Sequence, residues 1–143
     1  MNVTALKRYQ GQVEEGLRIE LAQLDRKLHE ASERLAVLQT SAELDAQRYL
    51  AETASGLTAD EVATRFLEWE ALTRTITRTK DIVDEARKLR DEKQAEVLET
   101  SKERKQIATL DERQMARERR RLDRLEQGRL DDLAADRYVR RQR

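Results

Sequence analysis

Thr53–Ala54–Ser55–Gly56–Leu57–Thr58–Ala59–Asp60–Glu61–Val62 is the one stretch of this 143-residue chain that carries helix stop and helix start signals together. Gly56 suits the left-handed position just past a helix end, where the missing Cβ removes the steric penalty. Thr58 reads as an N-cap and Glu61, three residues on, completes a capping box. Leu57 and Val62 occupy the two positions of a hydrophobic staple. The signals agree on a tight helix-to-helix turn at residues 55–58. Helix one is then expected over about residues 4–54 and helix two over about 59–140.

Working outward from the turn, Leu24, Leu28, Ala31, Leu35, Leu38, Ala42, Asp45 and Tyr49 step by alternating four and three residues, the spacing of a coiled-coil seam. Upstream, Val13, Leu17, Leu21 and Leu24 step 4, 4 and 3, a local unwinding of that repeat. Gly11 and Gly16 weaken this first stretch, whose N-terminal end is expected to fray. After the turn, Val62, Trp69, Ile76 and Val83 form a seven-residue ladder that Arg90 interrupts and Val97 resumes. Folding back about Leu57 sets opposite each other residues whose numbers total about 114. Leu38 then meets Ile76, Ala31 meets Val83, Leu28 meets Ala86, Leu17 meets Val97 and Leu6 meets Ala108. Leu24 meets Arg90, whose stem lies along the seam with its head in water. The fold class is therefore all-α: two long helices in an antiparallel coiled-coil hairpin, one domain over residues 1–143. Helix two, at roughly 1.5 Å per residue, outreaches helix one by about 45 Å, beginning near Leu110.

Composition agrees. The chain has no Pro, no Cys, 4 Gly and 3% aromatic residues, while 41% of it is charged, a mixture suited to long helices and not to a multilayer core. The lack of cysteine excludes disulfides, thiol catalysis and cysteine-ligated zinc. No stretch approaches a membrane span, and MNVTALKRYQGQVEE lacks the apolar centre of a signal peptide, so the chain reads as soluble and cytosolic. Lys plus Arg and Asp plus Glu balance at 29 each, leaving no global field to gather nucleic acid.

Little here suggests catalysis. The single histidine, His29, lies beside a seam residue on an exposed flank, and the carboxylates sit on solvated helix faces with no cleft to perturb them. No glycine-rich phosphate cradle exists. No catalytic, cofactor or metal residue is assigned, and function is sought in surfaces. Two stand out. Tyr49, Phe66 and Trp69 gather near the turn, either as seam packing or as an aromatic anchor for a partner. Met115, Leu122, Leu130 and Leu133, with Leu125 flanking, share one face of the overhang, where helix one cannot cover them. The run Arg117–Glu118–Arg119–Arg120–Arg121 invites a nucleic-acid reading, but neighbouring acids dilute it and no aromatic interleaves.

Phe66–Leu67–Glu68–Trp69–Glu70–Ala71–Leu72–Thr73, continuing to Ile76, and Leu130–Asp131–Asp132–Leu133–Ala134 followed by Arg137, resemble two patterns of the FliJ family of flagellar type III export. The resemblance spans essentially the whole chain and extends more distantly to the stalk proteins of injectisome export. It implies a non-enzymatic cytoplasmic coil, peripheral to the inner membrane through protein contacts only, that needs no cofactor. The implied partners are the export ATPase hexamer, whose assembly or activity the coil promotes, the export gate protein FlhA, and export chaperones. The resemblance implies gate contact through Tyr49, Leu72 and Ile76, although Asp45 stands where an aromatic is often found and Thr79 where a smaller apolar residue is. The overhang residues Met115, Arg119, Arg120, Arg121, Leu122, Leu125, Leu130 and Leu133 are the corresponding candidates for ATPase contact. An injectisome stalk, a generic coiled-coil scaffold and a nucleic-acid-binding coil are the alternative readings.

Overall fold

In the computed structural model, which describes residues 3–143, two helices account for almost every position: α1, Val3–Ser55, and α2, Ala59–Arg141. They meet at the expected turn. Gly56 takes φ +92°, the left-handed conformation that costs glycine nothing, and its N–H donates to the Thr53 carbonyl at 3.2 Å. The Thr58 hydroxyl accepts from the Glu61 amide at 3.3 Å, an N-cap of a kind that contributes about 1 kcal/mol. Asp60 and Glu61 in the first turn of α2 and Arg140 and Arg141 in its last turn complement the helix dipole.

Contacts divide the molecule into two units. The larger, Glu15–Leu98, is the hairpin that contains the turn. Its seam follows the expected residues: Leu17, Leu21, Leu24, Leu28, Leu35 and Leu38 are half-buried, as are Ile76, Ala86, Arg90 and Val97. Ala31 and Val83, paired by the register, are the buried apolar side chains among the described residues, at 8% and 5% exposure. Ion pairs between the helices confirm the register. The paired residue numbers total 113 for Glu20–Lys93, at 2.9 Å, 115 for Asp25–Arg90, at 3.7 Å, and 117 for Glu52–Arg65, at 3.0 Å. Arg90 behaves as its stem length suggests, half-buried with its guanidinium on Asp25 and Asp91. Thr79 is buried yet satisfied, its hydroxyl donating to the Thr75 carbonyl at 2.8 Å.

Two seam assignments differ. Asp45 is exposed and Ala46 takes the half-buried place beside it, because a carboxylate without a partner is costly to desolvate. Trp69 is 45% exposed and stands at the rim of the seam.

The second unit combines the beginning of α1, through Glu14, with Glu99–Arg143 of α2. Here the cross-helix pairs Lys7–Asp111, at 3.6 Å, and Glu14–Arg104 both total 118, four above the expected register. Glu14 is 3% exposed and its carboxylate meets the Arg104 guanidinium, so a charge lies in the seam where only apolar residues were expected. Beyond Ala116, every residue of α2 is exposed.

Candidate functional site

The first candidate surface lies in the hairpin unit beside the turn. A groove of about 450 Å³ opens between Asp45, Ala46 and Tyr49 of α1 and Phe66 and Trp69 of α2. It exists because the seam runs short of bulk there: Ala42 and Ala46 face α2 where Leu35 and Leu38 do so one and two turns earlier. The large rings of α2 then have nothing to interdigitate with, and Phe66 stays 59% exposed. Arg65 closes one side. Its guanidinium donates twice to Glu52, at 3.0 Å each, and once to Glu68 at 3.3 Å, bonds that raise its already high pKa, the Glu52 bonds most. A rigid cation thus ties the two helices next to half-exposed rings, an arrangement suited to seating a side chain of another protein.

The second candidate surface belongs to the other unit. Leu110, Met115, Leu122, Leu125, Leu130 and Leu133 are all more than half exposed on a helix that continues unbroken to Arg141. Met115, Leu122 and Leu133 fall in line with Arg104, Ala108 and Asp111, so the face that is a seam where α1 covers it emerges as a bare apolar stripe where α1 is absent. Local pairs support this helix. Arg121 donates to both carboxylate oxygens of Glu118 at 3.2 and 2.7 Å, Gln127 donates to Asp131 at 3.1 Å and Arg140 pairs with Asp136 at 3.2 Å. The hydrogen bonds from Arg121 hold the Glu118 carboxyl below the ordinary carboxylate range.

Comparison with known proteins turns this geometry into an assignment. The family model described as "Flagellar FliJ protein" matches residues 4–143, essentially the whole chain. The chain belongs to the FliJ family. No match was found among curated proteins or among solved structures. Membership makes the protein a non-catalytic component of flagellar protein export. Among the described residues no helix is long and apolar enough to cross a membrane, and no group of three or more His, Asp or Glu side chains is placed to hold a metal ion.

Set against this FliJ-family frame, the residues singled out by sequence are distributed unevenly. Tyr49, Leu72 and Ile76 are each half-buried, Ile76 as a seam residue, while Phe66 and Trp69 present more surface than any of them. Thr79 is buried and offers nothing to a partner. In the tail, Arg121 is engaged by Glu118, whereas Arg119 and Arg120 form no ion pair among the described residues. His29 is exposed and lies 3.0 Å from Glu33, one turn along its own helix. The groove was legible in the short side chains of Ala42 and Ala46 opposite the aromatic run, a signal that a reading by heptad spacing passes over.

Proposed function

We propose that the protein is a stalk of the export machinery whose bare tail engages the export ATPase hexamer, promoting its assembly or turnover, while the hairpin body contacts the export gate protein FlhA. One observation carries this reading: α2 stays helical through residues 117–141 with every side chain exposed and an apolar stripe of Met115, Leu122 and Leu133 along it. Exposed leucines in register are costly in a free chain, and an enclosing partner removes that cost. Leu125, Leu130 and Arg119 flank the stripe, and Arg120 and Arg121, on other faces of the same helix, complete the ATPase-contact set. The groove at Tyr49, with Leu72 and Ile76 along the same side of the hairpin, is the gate-facing set, and Phe66 and Trp69 supply its most accessible rings. Export chaperones are further partners, and the protein reaches the inner membrane only through these contacts.

The test is truncation after Leu110. The shortened protein keeps the hairpin unit and should remain helical, yet lose stimulation of the cognate ATPase while retaining association with the gate protein. Full stimulation by the truncated protein at normal expression would remove the tail from this role. A stalk is also expected to be largely monomeric in isolation, and a stable dimer through the tail would favour a self-associating scaffold instead.

A further inference from the structure

The tail carries a second face, which the linear sequence hides. Arg113, Arg117, Arg120 and Arg124 are spaced by four, three and four residues, so on an α-helix they fall within a band of roughly 60°, about 16 Å long. That band lies roughly opposite the Met115, Leu122 and Leu133 stripe. All four arginines are exposed, and none forms an ion pair among the described residues, whereas Arg65, Arg87, Arg90, Arg104, Arg121 and Arg140 each do. No acid falls on the band between Arg113 and Arg124; Asp131 is the first to return to it.

The spacing is one that the helix itself disfavours. Arg113 with Arg117, and Arg120 with Arg124, stand at i, i+4, and Arg117 with Arg120 at i, i+3, where like charges repel. In Glu118–Arg121 and Asp136–Arg140 of the same tail, these separations hold opposite charges. A chain with 29 basic and 29 acidic residues has the acids to interleave here and does not use them. External negative charge relieves the repulsion.

We propose that Arg113, Arg117, Arg120 and Arg124 form a docking face for a carboxylate-bearing protein surface, on the side of the tail away from its apolar stripe. This face is available whichever partner covers the stripe. Planar guanidinium groups match carboxylates bidentately, and a single row of them fits the regularly spaced acids of a helix or loop. Nucleic acid fits poorly, because no aromatic ring is interleaved with the row to stack on bases. A membrane surface fits poorly as well, because a helix that buries its apolar face in lipid would turn these arginines toward water.

Poly-L-glutamate is the probe, titrated against the full chain at roughly physiological salt. R117E/R124E is expected to weaken its binding by about tenfold, against less than about threefold for R129E/R137E, which removes the same charge from a different face. Circular dichroism separates this loss from misfolding, since R117E sets a carboxylate four residues from both Arg113 and Arg121 and should hold or raise helix content. R117A/R124A, which keeps helix propensity, should rank the same way. Equal losses in the two charge-reversal pairs, absence of poly-L-glutamate binding by the wild type, or tighter binding of polyphosphate or duplex DNA than of poly-L-glutamate would each overturn the proposal.

Discussion

The two halves of α2 are built from the same kinds of residue and do opposite things with them. From Leu72 to Asp111 a half-buried or buried side chain recurs at intervals of no more than four residues, and Arg90, Lys93 and Arg104 reach across to acids on α1. From Arg117 onward every side chain is exposed, and the ion pairs Glu118–Arg121 and Asp136–Arg140 stay within the helix itself. Helix propensity is not the difference, since both halves are rich in Arg, Leu, Glu and Ala. The presence of a partner is. A long helix can hold its backbone without tertiary contact, but only the covered half gains its stability from burial.

The sharpest way to break this contrast is to place one charge in each half. Val83→Asp puts a carboxylate at a site with 5% exposure and no cation assigned to it, and should destabilise the hairpin by about 3 kcal/mol or more, read as a lower midpoint in urea. Leu122→Asp makes the same chemical change on the bare stripe and should leave the midpoint within about 0.5 kcal/mol of the wild type. Equal losses would mean that the tail stripe is covered in the isolated protein.

Most of the hairpin was legible because its signals are local or periodic. Gly56, Thr58 and Glu61 act within a few residues of one another, and Leu17 to Leu38 repeat at the seam spacing. Where hydrophobicity and period disagree, the structure follows period. Stepping back by three and then four from Leu17 reaches Glu14 and then Gln10, which places Glu14 in the seam; the apolar Val13 beside it masks the buried Glu14 and its Arg104 partner. Hydrophobicity likewise put Trp69 in the seam, although its size required a cavity that Ala46 opposite does not fill but leaves open. The row of four arginines was hidden for a different reason: read along the chain, Glu118 and Asp123 interrupt it, and only projection onto the helix removes them.

A smaller change sharpens the contrast without adding charge. Gly16 and Gly128 are both helical, and a Cβ built on either meets nothing within 4 Å. Gly16→Ala should raise stability against urea by about 1 kcal/mol, because the hairpin unfolds cooperatively and the propensity gain counts toward the whole. Gly128→Ala has the same local gain in a segment without tertiary contacts, and should raise far-UV helix signal with little movement of the midpoint. A matching shift in midpoint from both would show that the tail unfolds together with the hairpin.

The smallest expected effect separates the halves by pH. In the tail, Glu118 is held below the ordinary carboxylate range by hydrogen bonds from Arg121, so the helical form favours its anion. That contribution is present above the ordinary glutamate pKa, near about 4.3, and is lost as pH falls through the lowered value. In the covered half, Lys93 is raised above its ordinary value by hydrogen bonds first to Glu20 and then to Glu96. Its contribution is present below the ordinary lysine pKa and is lost as pH rises through the raised one. Both pairs are solvent-facing, and the effects should be correspondingly slight. Glu118→Gln should lower helix signal a little at neutral pH, with the gap to wild type closing on acidification and the urea midpoint unmoved. Lys93→Met should show its deficit in the urea midpoint instead, with the gap to wild type closing only at strongly alkaline pH. If the Glu118 change moved the midpoint as well, the tail's internal pairs would be supporting the hairpin, and the division between a covered half and a self-sufficient half of α2 would fail.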